Sequence, residues 1–365
     1  MKRYLLLVIV PFTVINVFGQ CQINKSDIRI KLKNKTEDVK IIKKADYDSV
    51  RIIKKLGVKI YAGNKSEDYL YSQAEIDLGF TPEGPGIIDD EENKNKNEQA
   101  WGKEVGRLEY PHLNADRATN KVLVKYADGD LGVNYSLEWD CKKRANRWTC
   151  YELNKTNGKQ IVPRKDAFCE DEELPVKART TLQEYKNTGS VFDRGHLCPA
   201  GDRRASELQQ KQTYYLTNMQ PQYQKHNRGV WSKLEQLVRS WVIGSSRAKS
   251  VTDTLYVVKA ATIDRLLPQG THPTMVVPKY FYMAILAKTN GKYHAIALWT
   301  RHVPDAKTRA NKGDYAITIE ELQKRTGLDF FCNLPDNVEK KVEGEIDYKF
   351  WNLRPGDGRE EYDGD

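Results

Sequence analysis

Six segments of strand-like composition flank a single amphipathic helical segment in this sequence. The predicted strands, rich in β-branched and aromatic residues, cover 121–126, 133–139, 147–153, 254–260, 280–288 and 293–299. The predicted helix covers 230–242, where Trp231, Leu234, Val238 and Trp241 recur at helical spacing. Strands on both sides of a helix, without regular alternation, predict an α+β fold and argue against a doubly wound sheet.

The composition changes along the chain and divides it into parts. Apolar and charged residues alternate at 28–32, as expected for short half-buried strands, whereas a Pro/Gly cluster at 82–86 and a polar run at 89–98 are typical of a linker. The predicted parts are a signal peptide at 1–20, a small β-rich accessory region at 21–82, a linker at 83–105, a main domain at 106–351 and a polar tail at 352–365.

The first twenty residues have the character of an export signal. Lys2 and Arg3 precede an apolar run at 4–18, which is shorter than a spanning helix and is interrupted by Pro11. No later stretch is apolar enough to predict a stable membrane span. We therefore expect an exported protein, periplasmic or secreted. A lipid anchor on Cys21 is the alternative, although Gln20 stands where that type of cleavage site requires a small residue.

The overall charge favours an anionic partner. The chain has 59 Lys+Arg against 50 Asp+Glu, a formal net charge of +9. This balance suits a polyanionic substrate such as nucleic acid, and an ordinary solvated charged face explains it as well.

Six cysteines in a chain with an export signal predict at least one disulfide. Cys141 and Cys150 flank a turn-like stretch and are candidates for a bridge across a hairpin. Buried free thiols are the alternative, and the spacing of the cysteines does not indicate a zinc site.

Three neighbouring stretches concentrate the residue types of a hydrolytic site. They are DRGHLCPAGDR at 193–203, TNMQPQ at 217–222 and NRGVWSKLE at 227–235. An isolated histidine is more often structural than catalytic. Here His196 and Arg194 lie within about forty residues of Asn218, Asn227 and Glu235, and Asn227 directly precedes the predicted helix that carries Glu235.

These stretches resemble the family of DNA/RNA non-specific endonucleases that includes Serratia nuclease and mitochondrial endonuclease G. The spacing of His196, Asn218, Asn227 and Glu235 is similar to that of the family's functional positions. A looser resemblance extends over 109–351. The resemblance implies a ββα-metal nuclease fold, with a central antiparallel sheet flanked by helices.

The resemblance also assigns roles to the central residues. It implies that His196 is the general base, which suits an imidazole that titrates near neutrality. It implies that Asn227 is a direct ligand of Mg²⁺, with Mn²⁺ as a substitute, and that Glu235 holds the metal through water. The alternative for Glu235 is an ordinary exposed helix carboxylate.

Two arginines and a second asparagine complete the predicted site. Arg194 and Arg164 are expected to bind phosphate oxygens, because a guanidinium offers a forked pair of donors. A salt bridge from Arg194 to Asp193 or Asp202 is the alternative. Asn218 is expected to orient the site, or else to serve as a turn residue. Other residues are weaker candidates: a thiol nucleophile at Cys198 and a catalytic role for His226 are both less favoured than packing.

The sequence therefore predicts an exported, Mg²⁺-dependent endonuclease with DNA and RNA as substrates. Two other functions stay open: a catalytically silent nucleic-acid-binding or uptake protein, and a phosphodiesterase acting on small nucleotides. The complete set of polar residues argues against the silent protein, since a binder needs no base beside a metal ligand. The sequence does not show the width of the groove or the oligomeric state.

Overall fold

The structure, a computed structural model, describes eleven stretches of the chain. They are 27–32, 39–42, 49–53, 57–62, 65–70, 74–80, 93–113, 119–187, 191–245, 249–268 and 271–356. The predicted signal peptide, Cys21 and residues 357–365 of the predicted tail lie outside these stretches. The chain forms two units, Met1–Ile88 and Asp89–Asp365.

The described residues of the first unit form short antiparallel strands. They are β1 Asp27–Leu32, β2 Val39–Ile42, β3 Ser49–Ile53, β4 Gly57–Ala62, β5 Lys65–Leu70 and β6 Ala74–Phe80. Two three-stranded sheets result, with the orders β2-β1-β6 and β3-β4-β5.

The second unit is built on a seven-stranded antiparallel sheet. The strands of this unit, inside and outside the large sheet, are β7 Lys121–Tyr126, β8 Val133–Asp140, β9 Ala145–Asn154, β10 Phe192–His196, β11 Met219–Tyr223, β12 Thr254–Ala261, β13 Tyr280–Thr289, β14 Lys292–Arg301 and β15 Ala316–Ile317. Its helices are α1 Leu182–Lys186, α2 Glu207–Gln212, α3 Ser232–Ile243, α4 Ile319–Thr326 and α5 Asp336–Gly344. The large sheet has the order β15-β14-β13-β12-β9-β8-β7, and β10 pairs with β11 in a separate ribbon.

The six predicted strands are confirmed to within two residues at each end, and the predicted helix is confirmed as α3 with the turn before it. Strands β10 and β11 were not predicted, because Gly195 and Pro221 interrupt their apolar pattern. Within the described residues, no helix has the length and apolar character that crossing a bilayer requires.

Helices cover both faces of the large sheet. Alternate residues of β12 point to opposite faces, so that Leu255 and Val257 pack in the cluster with α3. Val258 and Ala260 pack in the other cluster, with α4 and α5. The core therefore has two layers, and the β10-β11 ribbon lies beside the first, where Gln220 donates to the Asn146 carbonyl of β9 at 2.7 Å.

The predicted linker at 83–105 differs from the structure in its second half. Asn97 is buried, and its side chain donates to the carbonyls of Val105, at 3.2 Å, and Pro111, at 3.0 Å. Asn93 donates to the carbonyls of Cys332 and Leu334 at 3.0 and 2.7 Å. Residues 93–105 thus belong to the main unit, because these asparagines bind its backbone and not water.

The start of the predicted polar tail also packs on the main unit. Asn311 Nδ2 donates to the Pro355 carbonyl at 3.2 Å. A Cβ atom at Gly356 would lie 2.3 Å from the Gly313 carbonyl oxygen, so the two backbone segments approach closely. Residues 352–356 are therefore part of the domain.

The predicted bridge between Cys141 and Cys150 is wrong. The β8-β9 hairpin turns tightly between Asp140 and Ala145, and Cys150 lies five residues further along β9, opposite Ser136. Cys141 packs against the α3-side cluster, whereas Cys150 is buried in the other cluster. All five described cysteines are free thiols.

Leu234 tests how far the α3 layer stabilises the domain. Its side chain is fully buried, so we expect Leu234→Ala to lower the free energy of unfolding by about 2 to 5 kcal/mol. Gln236→Ala, on the exposed face of the same helix, should change it by less than about 0.5 kcal/mol. Urea unfolding measures both, and equal effects would contradict the assigned packing.

Candidate active site

The site lies on a ββα unit formed by β10, β11 and α3. The two strands pair antiparallel from Phe192 opposite Tyr223 to His196 opposite Met219. A π-helical turn, His226–Trp231, runs directly into α3. Such turns are rare in proteins, and those that do occur often lie at functional sites. This unit places His196 at the end of β10 and Asn227 in the turn.

Because Gly195 has no side chain, the side chain of Gln222 on β11 can lie close against β10. A Cβ atom at this position would lie 2.1 Å from Gln222 Oε1. Gln222 is buried and its Nε2 lies 2.7 Å from His226 Nδ1. A glycine beside His196 is therefore a packing requirement of the ribbon.

The imidazole of His196 lies against two aromatic rings that also contact each other. Its centroid is 5.7 Å from that of Phe168 and 5.0 Å from that of Tyr214, which meets it edge-on. The ring makes a hydrogen bond to the Arg194 backbone. Nε2 is buried and has no hydrogen-bond partner among the described residues. The bond to the Arg194 carbonyl therefore uses Nδ1–H, and the lone pair is on Nε2.

Electrostatics keep His196 neutral. Burial, with a contribution from the nearby Arg164 and against the opposing charge of Asp166, lowers the pKa of His196 to about 3. At neutral pH the ring therefore carries no positive charge. Its buried Nε2 is an unprotonated acceptor, as a general base requires.

Asn227 is oriented by a neighbouring carboxylate. Its Nδ2 donates to Asp193 Oδ2 at 2.9 Å, and Arg228 donates to both oxygens of Asp193 at 2.8 and 2.7 Å. An ionised carboxylate only accepts hydrogen bonds, so the amide nitrogen must face Asp193. The carbonyl oxygen of Asn227 therefore faces the other way, from a half-buried position.

This oxygen fits a hard divalent cation. Mg²⁺ takes oxygen ligands and commonly keeps several waters, so one protein carbonyl is sufficient when substrate oxygens complete the shell. Glu235 lies two turns further along the helix, with its side chain only 15% exposed. The predicted alternative of an ordinary exposed carboxylate therefore does not describe this residue.

Lys259 is a site neighbour that sequence reasoning missed. It lies in β12, is fully buried, and places Nζ 3.4 Å from Glu235 Oε1. The rings of Trp231 and Tyr151 lie 5.7 and 5.9 Å from the same nitrogen. A lysine inside a strand gives no sequence signal of such a role, because only the packing of α3 on the sheet brings Glu235 to it.

Both predicted phosphate-binding arginines lie beside the rings that contact His196. Arg194 lies over the Phe168 ring at 4.0 Å, and Arg164 donates to Tyr214 Oη at 2.9 Å. The alternative salt bridge of Arg194 is not observed. Asp193 pairs with Arg228, and Asp202 pairs with Arg239 at 2.6 Å.

Asn218 is a positioning residue and does not reach the reacting atoms. It is fully buried and its Nδ2 donates to the carbonyls of Cys198 and Thr213, at 2.8 and 2.9 Å. Its Oδ1 accepts from the Cys198 backbone nitrogen at 2.8 Å. The predicted catalytic role is therefore limited to fixing the chain just after His196.

Two weaker candidates have structural roles. His226 is fully buried, with its ring nitrogens near Gln222 and Thr300 at 2.7 and 3.0 Å. Cys198 is a buried free thiol, and burial raises its pKa to about 12. A thiol with so high a pKa is not a nucleophile at neutral pH.

The turn that carries Asn227 is connected to the backbone of β10 by a hydrogen bond. Trp231 Nε1 donates to the His196 carbonyl oxygen at 3.2 Å, which links the turn carrying Asn227 to the strand carrying the base. Histidine, arginines and the candidate metal ligand thus belong to one site.

Comparison with known proteins identifies the family. The model of the DNA/RNA non-specific endonuclease family matches residues 120–337, which is more than half of the chain. The chain belongs to this family. It is 28% identical over 226 residues to the mitochondrial nuclease EXOG of Xenopus laevis, covering 59% of this chain and 61% of that one. It is 28% identical over 219 residues to a nuclease of Nostoc sp., covering 58% and 76%.

A solved structure shows the same fold. A chain of the EndoG/EndoGI complex superimposes with a TM-score of 0.50 at 22% identity, covering 65% of this chain and 95% of that chain. This likeness confirms the predicted fold. The match spans only 61% of the length of the Xenopus relative.

Buried neutral histidines should make the domain sensitive to acid. Burial lowers the pKa of His302 to about 4. Between pH 6.5 and 4 the unfolded chain therefore binds a proton that the folded chain does not, so stability falls as pH falls. At pH 5 this amounts to roughly 2 kcal/mol for His302.

We expect His302→Gln to lose less stability than the parent protein between pH 7.5 and pH 5. Glutamine keeps a donor and an acceptor for the contacts that His302 makes with Pro278 and Tyr223. Urea unfolding at the two pH values measures the difference, and an identical pH dependence would show that His302 is not responsible.

Proposed function

We propose that this chain is an exported, Mg²⁺-dependent endonuclease that hydrolyses phosphodiester bonds of DNA and RNA with little sequence preference. The observation that carries the proposal is the buried, unpartnered Nε2 of His196, with Arg164 and Arg194 beside it. A buried acceptor without a partner is costly, and such sites are commonly reserved for chemistry.

His196 acts as the general base. Its Nδ1–H is held by the Arg194 carbonyl, so Nε2 takes the proton of the attacking water. The attack on phosphorus puts additional charge on the phosphate oxygens. Arg164 and Arg194 donate hydrogen bonds to these oxygens, and their charges stabilise the transition state.

The candidate metal ligands lie in the turn that follows β11 and in α3. When bound, Mg²⁺ would stabilise negative charge on the phosphate and leaving oxygens. Asn227 would hold the cation through its carbonyl oxygen, and Asp193 keeps that amide in orientation. Glu235 would hold water of the metal's shell, with Lys259 pairing with its carboxylate.

The proposed contacts to the substrate predict a weak preference for base sequence. The proposed substrate contacts are made by guanidinium groups to phosphate, which carries no base information. A silent binding protein would need no unpartnered base at the site. The small-nucleotide alternative differs in substrate length alone, and polymer and small diester substrates separate the two.

The central test separates His196 from Asn227. We expect His196→Ala to lower kcat on plasmid DNA by roughly 10²- to 10⁴-fold, with unchanged Mg²⁺ affinity by calorimetry. Asn227→Ala should instead weaken Mg²⁺ binding, so that part of the activity returns at higher Mg²⁺. Gln236→Ala, on the exposed face of α3, serves as the control and should leave both kcat and Mg²⁺ affinity unchanged.

Two outcomes would contradict these roles. An active His196→Ala protein would remove the general base from the mechanism. Equal Mg²⁺ affinities for Asn227→Ala and the parent protein would mean that Asn227 is not a ligand. Running the same assays on RNA tests the substrate range.

Export is a separate part of the proposal and rests on Lys2, Arg3 and the apolar run at 4–18. We expect intact-mass measurement of protein from the periplasm or medium to show a chain that begins near Gln20 or Cys21. Added acyl mass on Cys21 would establish the lipid anchor instead. A chain that keeps its first residues in that fraction would contradict cleavage.

A further inference from the structure

A basic strap lies against the turn that carries Asn227. We define the strap as residues 303–314, which connect β14 to β15. Its Thr308 hydroxyl lies 3.6 Å from where a Cβ atom at Gly229 would stand. The strap is therefore a direct neighbour of the proposed metal-binding turn, and the mechanism above does not use it.

The strap is fixed in place by several contacts. Tyr315 Oη accepts from the Arg309 backbone nitrogen at 2.8 Å, and Lys312 Nζ donates to the Ala310 carbonyl at 3.4 Å. Asn311 ties the strap to Pro355. Ala306 packs against the core cluster under α3. The backbone of the strap is therefore anchored to the domain.

The charge on this side of the domain is strongly positive. The strap and residues 225–233 together contain six basic residues and two acidic ones: Lys225, Arg228, Lys233, Lys307, Arg309 and Lys312 against Asp305 and Asp314. The two segments are close enough for their charges to interact. Burial lowers the pKa of Lys312, and the positive charge of Lys233 lowers it as well. Lys233 and Lys307 are both exposed.

The opposite layer has no such surplus of positive charge. Helices α4 and α5 contain four basic and five acidic residues, counted from their sequences. A polyanion is therefore attracted more strongly to the strap and the start of α3 than to this layer.

We propose that the strap and the start of α3 form a track for the nucleic-acid backbone beyond the scissile phosphate, with Lys233 and Lys307 binding flanking phosphates. This inference rests on the proposed nuclease function and extends it from one phosphodiester to a polymer. Exposed lysines are suited to this task as flexible point charges that contact phosphates without reading bases.

The test compares two variants with the same loss of charge. Lys233→Gln/Lys307→Gln removes two charges from the track, and Lys340→Gln/Lys341→Gln removes two exposed charges from α5 on the opposite layer. Binding to a 30-base-pair duplex is measured by fluorescence anisotropy over a salt series. The His196→Ala background prevents cleavage during the titration.

We expect the track variant to bind more weakly, by roughly fivefold to tenfold per lost contact at 0.1 M salt, with the slope of log K against log salt reduced by about 1.8. The α5 variant should match its parent. Activity is measured with His196 present. There the track variant should hydrolyse bis(p-nitrophenyl) phosphate at the parental rate, because this small diester does not reach the track.

The outcomes distinguish this inference from the proposed function. Parental duplex binding and salt slope in the track variant, or equal losses in both variants, would overturn the track. Weakened binding to phosphatidylserine vesicles with unchanged duplex binding would assign the strap to a membrane surface and overturn it as well. If the parent protein cleaves neither DNA nor the small diester, the nuclease proposal fails, and the binding comparison still decides the track.

Discussion

The packing of α3 on the seven-stranded sheet is the contact on which the site depends. Leu234 and Val238 are fully buried against the strands, and Trp241 donates to the Trp351 carbonyl at 3.0 Å. The helix is continuous with the turn that holds Asn227, and Trp231 in that turn donates to the His196 carbonyl. One hydrophobic interface thus sets the position of Asn227 relative to His196.

This interface contains charge as well as apolar surface. Lys259 pairs with Glu235, and Asp202, also fully buried, accepts from Arg239 at 2.6 Å and from Tyr151 at 3.0 Å. Removing one partner of such a pair leaves an uncompensated buried charge, which is strongly destabilising. The same charges that fix Glu235 are therefore a structural requirement of the α3 layer.

The charges near His196 act on the protonation of its ring both before and after substrate binds. Burial and Arg164 keep the ring neutral before substrate binds. A phosphodiester at the arginines adds negative charge beside the ring, which offsets Arg164 and favours the protonated imidazole. Under the proposed mechanism, His196 should thus become a stronger base when substrate is present, at the step where it would accept a proton.

The sequence by itself determined the α+β class and the six central strands, and it grouped the candidate site residues His196, Asn227 and Glu235. Those predictions rest on local patterns: alternation in strands, helical spacing in α3 and the grouping of His196, Asn227 and Glu235. It did not give β10 and β11, since their pairing depends on the fit of Gln222 over Gly195.

Only the tertiary structure decided which polar side chains face the site. Asn218 and Asn227 are the same residue type nine positions apart, yet packing uses every polar atom of the first amide and leaves the carbonyl oxygen of the second turned away from Asp193. Lys259 and the basic strap at 303–314 join the site from distant parts of the chain. Sequence pattern does not report such contacts, because burial and charge pairing depend on which elements meet in space.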